Sequence, residues 1–149
     1  MATNAIIENA AVSAAIRPER VSLFHLYGLR ILFFLMALFL LSAVAPLLPE
    51  AAPTHMTSVA RALLAGLGLL ALVGIRYPLQ MLPLMLFELA WKVLWLAFYG
   101  LPAWSAGEMD PAYAASLKET GIGVILVIVV VPWRHVFDHY VTKAGDRWR

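Results

Sequence analysis

Residues Leu79–Leu101 read LQMLPLMLFELAWKVLWLAFYGL. An apolar helix needs about 20 residues to cross the hydrocarbon of a bilayer, and this stretch is long enough. Glu88 and Lys92 stand in its middle, four residues apart. A charge at that depth costs about 2.5–3.5 kcal/mol on insertion scales, so such charges pair, face a bundle interior or line a watery path. They mark the place in this chain where chemistry is plausible.

The rest of the composition agrees with a membrane chain. Of 149 residues, 62% are hydrophobic and only 13% charged, about half the charge of a soluble domain. The mean hydropathy is +0.82. A chain this short cannot hide that much apolar surface in an aqueous core, so lipid must cover the excess. The length fits one domain, residues 1–149. There is no cysteine, which excludes disulfides, thiolate zinc, iron–sulfur clusters and thiol redox chemistry. A net charge of +2 implies no nucleic-acid partner.

Four spans are expected, over about 22–48, 58–75, 79–101 and 114–133, followed by a tail over 134–149. Pro46 and Pro49 end the first. Ala43-Val44-Ala45 resembles a cleavage site, but about 30 residues precede the apolar run, far more than a signal peptide's short basic region, so the span reads as uncleaved. Thr57 or Ser58 can cap the second span. The tight turn Gly74–Pro78 folds spans two and three into an antiparallel hairpin. Pro83 predicts a kink near the start of the third span, and 102–111 reads as a loop. Asp110-Pro111 is a helix start, a capping carboxylate followed by proline at the first helical position. The fourth span has a short apolar core, Gly121–Trp133, and borrows from Tyr113–Thr120. Its Val/Ile run suits a strand, but a lone strand in lipid leaves its backbone unsatisfied, so a helix is expected. After Pro132-Trp133 the helix continues at the interface to Ala144, with Gly145 at its end. Ala5–Ala15 reads as a loose surface helix or a mobile segment.

Basic residues give the orientation. Arg17, Arg20, Arg76, Arg134, Lys143, Arg147 and Arg149 fall on one side. Arg61 and Lys118 fall on the other, among Glu50, Glu108, Asp110 and Glu119. The fold class is thus all-α: an integral membrane four-helix bundle, N-in and C-in, with a C-terminal interfacial helical extension. The Ala/Leu-rich spans and minimal loops suit a bacterial inner membrane.

Three constellations are candidates for function. Gln80, Leu84, Glu88, Lys92, Trp95 and Tyr99 recur at helical spacing and share a face. At about 1.5 Å per residue, Glu88 lies roughly 13 Å from the cytoplasmic end and Arg30 of span one roughly 10 Å. A network of Arg30, Glu88 and Lys92 follows, with Gln80 on the same stripe. With a net charge of +1, it is a self-neutralising register device with Arg30 snorkelling, a proton or ion relay, an anionic ligand site balanced by the spare positive charge, or a partner dock. Trp91 and Trp95 flank Lys92, where they can contact its ammonium or pack in the bundle. Span two is rich in small residues, Ala62, Ala65, Gly66, Gly68, Ala71 and Gly74, and Ala62 with Gly66 forms a small-residue pair that permits close helix approach, within the chain or between copies. Finally, His135, Asp138 and His139 share a helical face, and His25 lies at the same membrane side. Together they offer a weak metal or haem site, beside the ordinary reading of a polar interfacial face; no cofactor is predicted.

The remaining features are generic. Tyr and Trp gather near the span ends as an aromatic belt. The basic tail 143–149 suits anionic lipid or a docking contact. No nucleophile–base pair, phosphate loop or paired catalytic carboxylates can be found. The expectation is a non-enzymatic accessory or assembly subunit, bound to lipid and to other membrane subunits or itself. The alternatives are a small transporter or ion-conducting oligomer using Glu88, and a haem- or quinone-linked redox protein.

Overall fold

The computed structural model describes residues 21–107 and 109–143. The expected segment Ala5–Ala15, Arg17, Arg20, Glu108 and the tail Ala144–Arg149 lie outside the described residues. Among those described, every regular element is helical. Helix α1 is Leu23–Val44, prolonged by a 3-10 turn Ala45–Leu47. Helix α2 is His55–Arg76. Helix α3, Leu82–Ala106, comprises an α-helical part Leu82–Trp95, a π turn Leu96–Gly100 and a last α turn Leu101–Ala106. Helix α4 is Pro111–Val130, and α5 is Trp133–Phe137, continued by a π turn Asp138–Thr142.

The first four are long and apolar enough to cross a membrane. They carry large apolar side chains outward: Phe34 and Phe39 on α1, Leu63 on α2, Phe98 on α3 and Ile125 on α4 are all more than half exposed. Four candidate membrane-spanning helices make this a multi-pass membrane protein in outline.

Local chemistry sets the helix ends. Ser22 accepts from the Phe24 amide, and Asp110 Oδ1 accepts from the Tyr113 amide at 2.7 Å, with Pro111 in the first turn. The second cap differs from expectation. Thr54, rather than Thr57 or Ser58, accepts from the Thr57 amide at 3.1 Å, so α2 starts at His55. Thr54 is extended, the conformation an N-cap requires. Arg61, one turn further, donates to the Leu47 carbonyl at 3.0 Å. It thereby ties α2 to the carbonyl end of the first span, where a cation is favoured.

Helix α3 corrects two expectations. It starts at Leu82, so Pro83 lies in its first turn, where a missing N–H costs nothing, and no kink is needed. It also continues through Pro102 to Ala106 instead of stopping at Leu101. A proline inside a helix collides with the carbonyl four residues back. Here the preceding π turn, closed by the Leu101 amide on the Leu96 carbonyl, widens the helix where that carbonyl lies. Gly107, at φ 75°, then stops the helix in a left-handed conformation. Helix α4 likewise ends at Val130, where extended Val131 and Pro132 separate it from α5. The expected run of continuous helix past Pro132 is therefore broken.

The helices alternate up and down. Helices α1 and α2 form the more extensive hairpin, and α3 and α4 form the second. Gly74 of α2 lies against the Phe33 ring, and Gly68 against Leu40 and Leu41. In the second hairpin Gly100 lies against Leu117 and Trp95. The hairpins join at one end, where Gly28 of α1 meets Val130 of α4. The shared core includes Leu29, Phe33, Leu82, Met85 and Val131, all 2% exposed or less. These come from the first half of α1, the first turns of α3 and the end of α4, so the core occupies one half of the bundle's length.

Small residues govern the first hairpin, though not at the expected pair. Ala62 is exposed, and a Cβ on Gly66 would meet nothing within 4 Å. The buried positions are Ala65, Gly68, Ala71 and Gly74. The packed stripe therefore runs through four of the six expected small residues and leaves out the pair Ala62 and Gly66.

Candidate functional site

Lys92 forms an ion pair with Glu88, one turn away on α3. The Glu88 side chain is 7% exposed and that of Lys92 16%. Their order, acid before base at four residues, is the favourable one along a helix. Two neighbours complete the surroundings. The ammonium lies 4.2 Å from the centre of the Trp91 ring, a cation–π contact. The lysine stem runs past Gly123 of α4, where a Cβ would come within 2.9 Å of Cε. Glycine at 123 thus leaves a slot for the methylenes. Trp95, a turn beyond, packs on Tyr113 of α4 with ring centres 5.5 Å apart.

Two residues assigned to this network lie elsewhere. Arg30 is exposed and sits over the Tyr27 ring of its own helix at 5.7 Å. The physical reason is angular. Leu29 and Phe33 are completely buried and fix the inward face of α1, and Arg30, about 100° around from Leu29, is turned outward. Gln80 precedes α3 and is exposed in the turn after α2. The site therefore carries one positive and one negative charge, with no surplus cation. Such a pair offsets its desolvation internally. The pair is closed within α3, its lysine stem is what touches α4, and it leaves a buried carboxylate beside an amine.

The histidines divide differently from the sequence expectation. His25 and His135 line one cavity of about 400 Å³, together with Ser22, Val129, Trp133 and Arg134. His25 Nδ1 is buried without a hydrogen-bond partner. Asp138 and His139 are exposed on the following turn, and the His139 ring stacks on that of His135 at 5.6 Å. Among the described residues no three of His, Cys, Asp or Glu converge as metal ligands. Partial burial pushes the neighbouring Tyr140 phenol above its ordinary range.

Sequence reasoning did not single out Gly123 or the shared cavity. A glycine three residues after Thr120 on a buried helix face was the available signal for the first. For the second, the sequence put His25 and His135 at the same membrane side, but nothing in it showed that they line one cavity. Comparison with family models, with curated proteins and with solved structures finds no match.

Proposed function

We propose that the chain is a non-enzymatic accessory or assembly subunit of a membrane complex. The observation that carries this reading is Arg30. It projects from the exposed face of α1, roughly 10 Å along the helix from Leu23 at 1.5 Å per residue, and among the described residues it lies over the Tyr27 ring. A cation on the outside of an apolar helix seeks a lipid phosphate by snorkelling or a carboxylate on another helix. The second partner makes α1 a recognition surface for a foreign subunit. The test is native mass spectrometry after gentle extraction from the source membrane. Assemblies heavier than 16.4 kDa that contain foreign subunits are expected, and Arg30→Gln should release them. A bare monomer, or an assembly indifferent to Arg30→Gln, would overturn the reading.

A transporter reading draws on the buried Glu88 carboxylate. It is favoured if extraction yields a homo-oligomer and if reconstituted flux depends on pH through Glu88.

A bacterial inner membrane with both termini in the cytoplasm completes the proposal. Its support is the charge distribution: Arg76 and Arg134 at one set of helix ends, Arg61 and Lys118 at the other, with Glu50, Asp110 and Glu119. A phosphatase active only in the periplasm, fused after Arg149, should be silent. An active fusion would reverse the topology.

A further inference from the structure

We propose that the cavity between the start of α1 and the α4–α5 junction binds the phosphate headgroup of a lipid. The cavity holds about 400 Å³ and is lined on its polar side by Ser22, His25, Arg134 and His135. None of its described lining residues is acidic. His25 Nδ1 is buried without a partner, and a buried donor or acceptor left unsatisfied is costly. The His25 ring lines the cavity, so a turn of the ring that brings an imidazole N–H to a phosphate oxygen would remove that cost.

Charge points the same way. The cavity opens at the first turn of α1, a 22-residue helix with no acidic residue in that turn. Ser22 caps the Phe24 amide there, and the positive end of the helix dipole favours an anion. Arg134 lines the same cavity and brings a permanent positive charge to it.

The apolar side explains why the phosphate should carry acyl chains. Val129, Val131, Pro132 and Trp133 form the other wall. Val129 is 56% exposed, and Ile125, one turn earlier on the same face of α4, is 63% exposed. An apolar track therefore leads from the cavity along a candidate membrane span. The site is independent of Arg30 and of the subunit reading.

The experiment uses the full chain in detergent micelles and native mass spectrometry. Three probes separate the sources: phosphatidic acid, diacylglycerol with the same chains but no phosphate, and inorganic phosphate. Phosphatidic acid should be retained one to one, diacylglycerol should not, and millimolar inorganic phosphate should fail to displace the lipid. His25→Leu should weaken retention about tenfold, the scale of one lost charge-assisted hydrogen bond. Circular dichroism shows whether that variant folds; Arg134→Gln, on an exposed residue, provides the same readout if it does not. Equal retention of diacylglycerol, or retention unchanged in the folded variants, would overturn the site. Displacement by inorganic phosphate would overturn the lipid assignment in favour of a soluble phosphate.

Discussion

Lys92→Met alone should destabilise the bundle by about 3–5 kcal/mol, because it strands the Glu88 carboxylate in a dry interface. Glu88 is 5% exposed, so water cannot replace the lost ammonium. The double substitution Glu88→Leu with Lys92→Met should recover most of the loss. Apolar groups of similar size fill the same space without desolvating a charge. Methionine also keeps an unbranched stem beside Gly123, where branching would collide with α4. The measurement is a double-mutant cycle of unfolding in micelles, followed by helix circular dichroism. A single variant as stable as the double would show that the pair is not buried against α4. The folded double variant also separates the two functional readings. A subunit that uses the pair only to hold α3 in register keeps its partners, whereas a transporter that titrates Glu88 loses flux while staying folded.

The second large effect is expected at Gly74. A Cβ there would stand 2.4–2.6 Å from the Phe33 ring, and Phe33 is 0% exposed. The ring is held by the shared core and cannot swing outward. Gly74→Ala should therefore cost about 1–3 kcal/mol by overpacking, even though alanine is the better helix former. Adding Phe33→Leu should return part of it by vacating the contact. Gly66→Ala provides the opposite sign. Nothing lies within 4 Å of the added methyl, so the propensity gain of up to about 1 kcal/mol should appear as stabilisation. Thermal unfolding of the three variants reads all of this directly. If Gly74→Ala and Gly66→Ala shift stability alike, the α1–α2 contact is not where the structure puts it.

Much of the architecture was readable in the chain. Four apolar stretches of spanning length, proline and glycine punctuation, and the Asp110-Pro111 start locate the four long helices to within a few residues. Helix ends are local: an N-cap or a left-handed glycine acts on its neighbours, so sequence can suggest it. Even so, Thr54 took the cap from Thr57 and Ser58. A π turn carried α3 through Pro102, where a proline normally marks a stop.

The site was readable only where it was local. Glu88 and Lys92 lie one helical turn apart, and that spacing alone allows the pair. Arg30 and Gln80 were grouped with them by depth along the membrane, and depth carries no information about rotation. Whether Arg30 faced Glu88 or lipid depended on Leu29 and Phe33 filling the inward side of α1. The same held for the glycines. Gly66 and Gly74 look equivalent in a hydropathy reading, yet one faces open space and the other an aromatic ring.

The sequence by itself determined four helical segments long and apolar enough to cross a membrane, and an acid and a base one turn apart in the third. The tertiary structure decided that α4 receives this pair beside Gly123, that Arg30 turns outward, and that His25 and His135 share a cavity. The reason is physical. Transfer of apolar residues from water to lipid is nearly the same on every side of a helix, so hydropathy fixes how long a span is and leaves its rotation free. Rotation is set by close packing, where a missing Cβ or a buried ring on one helix selects a single face of the next.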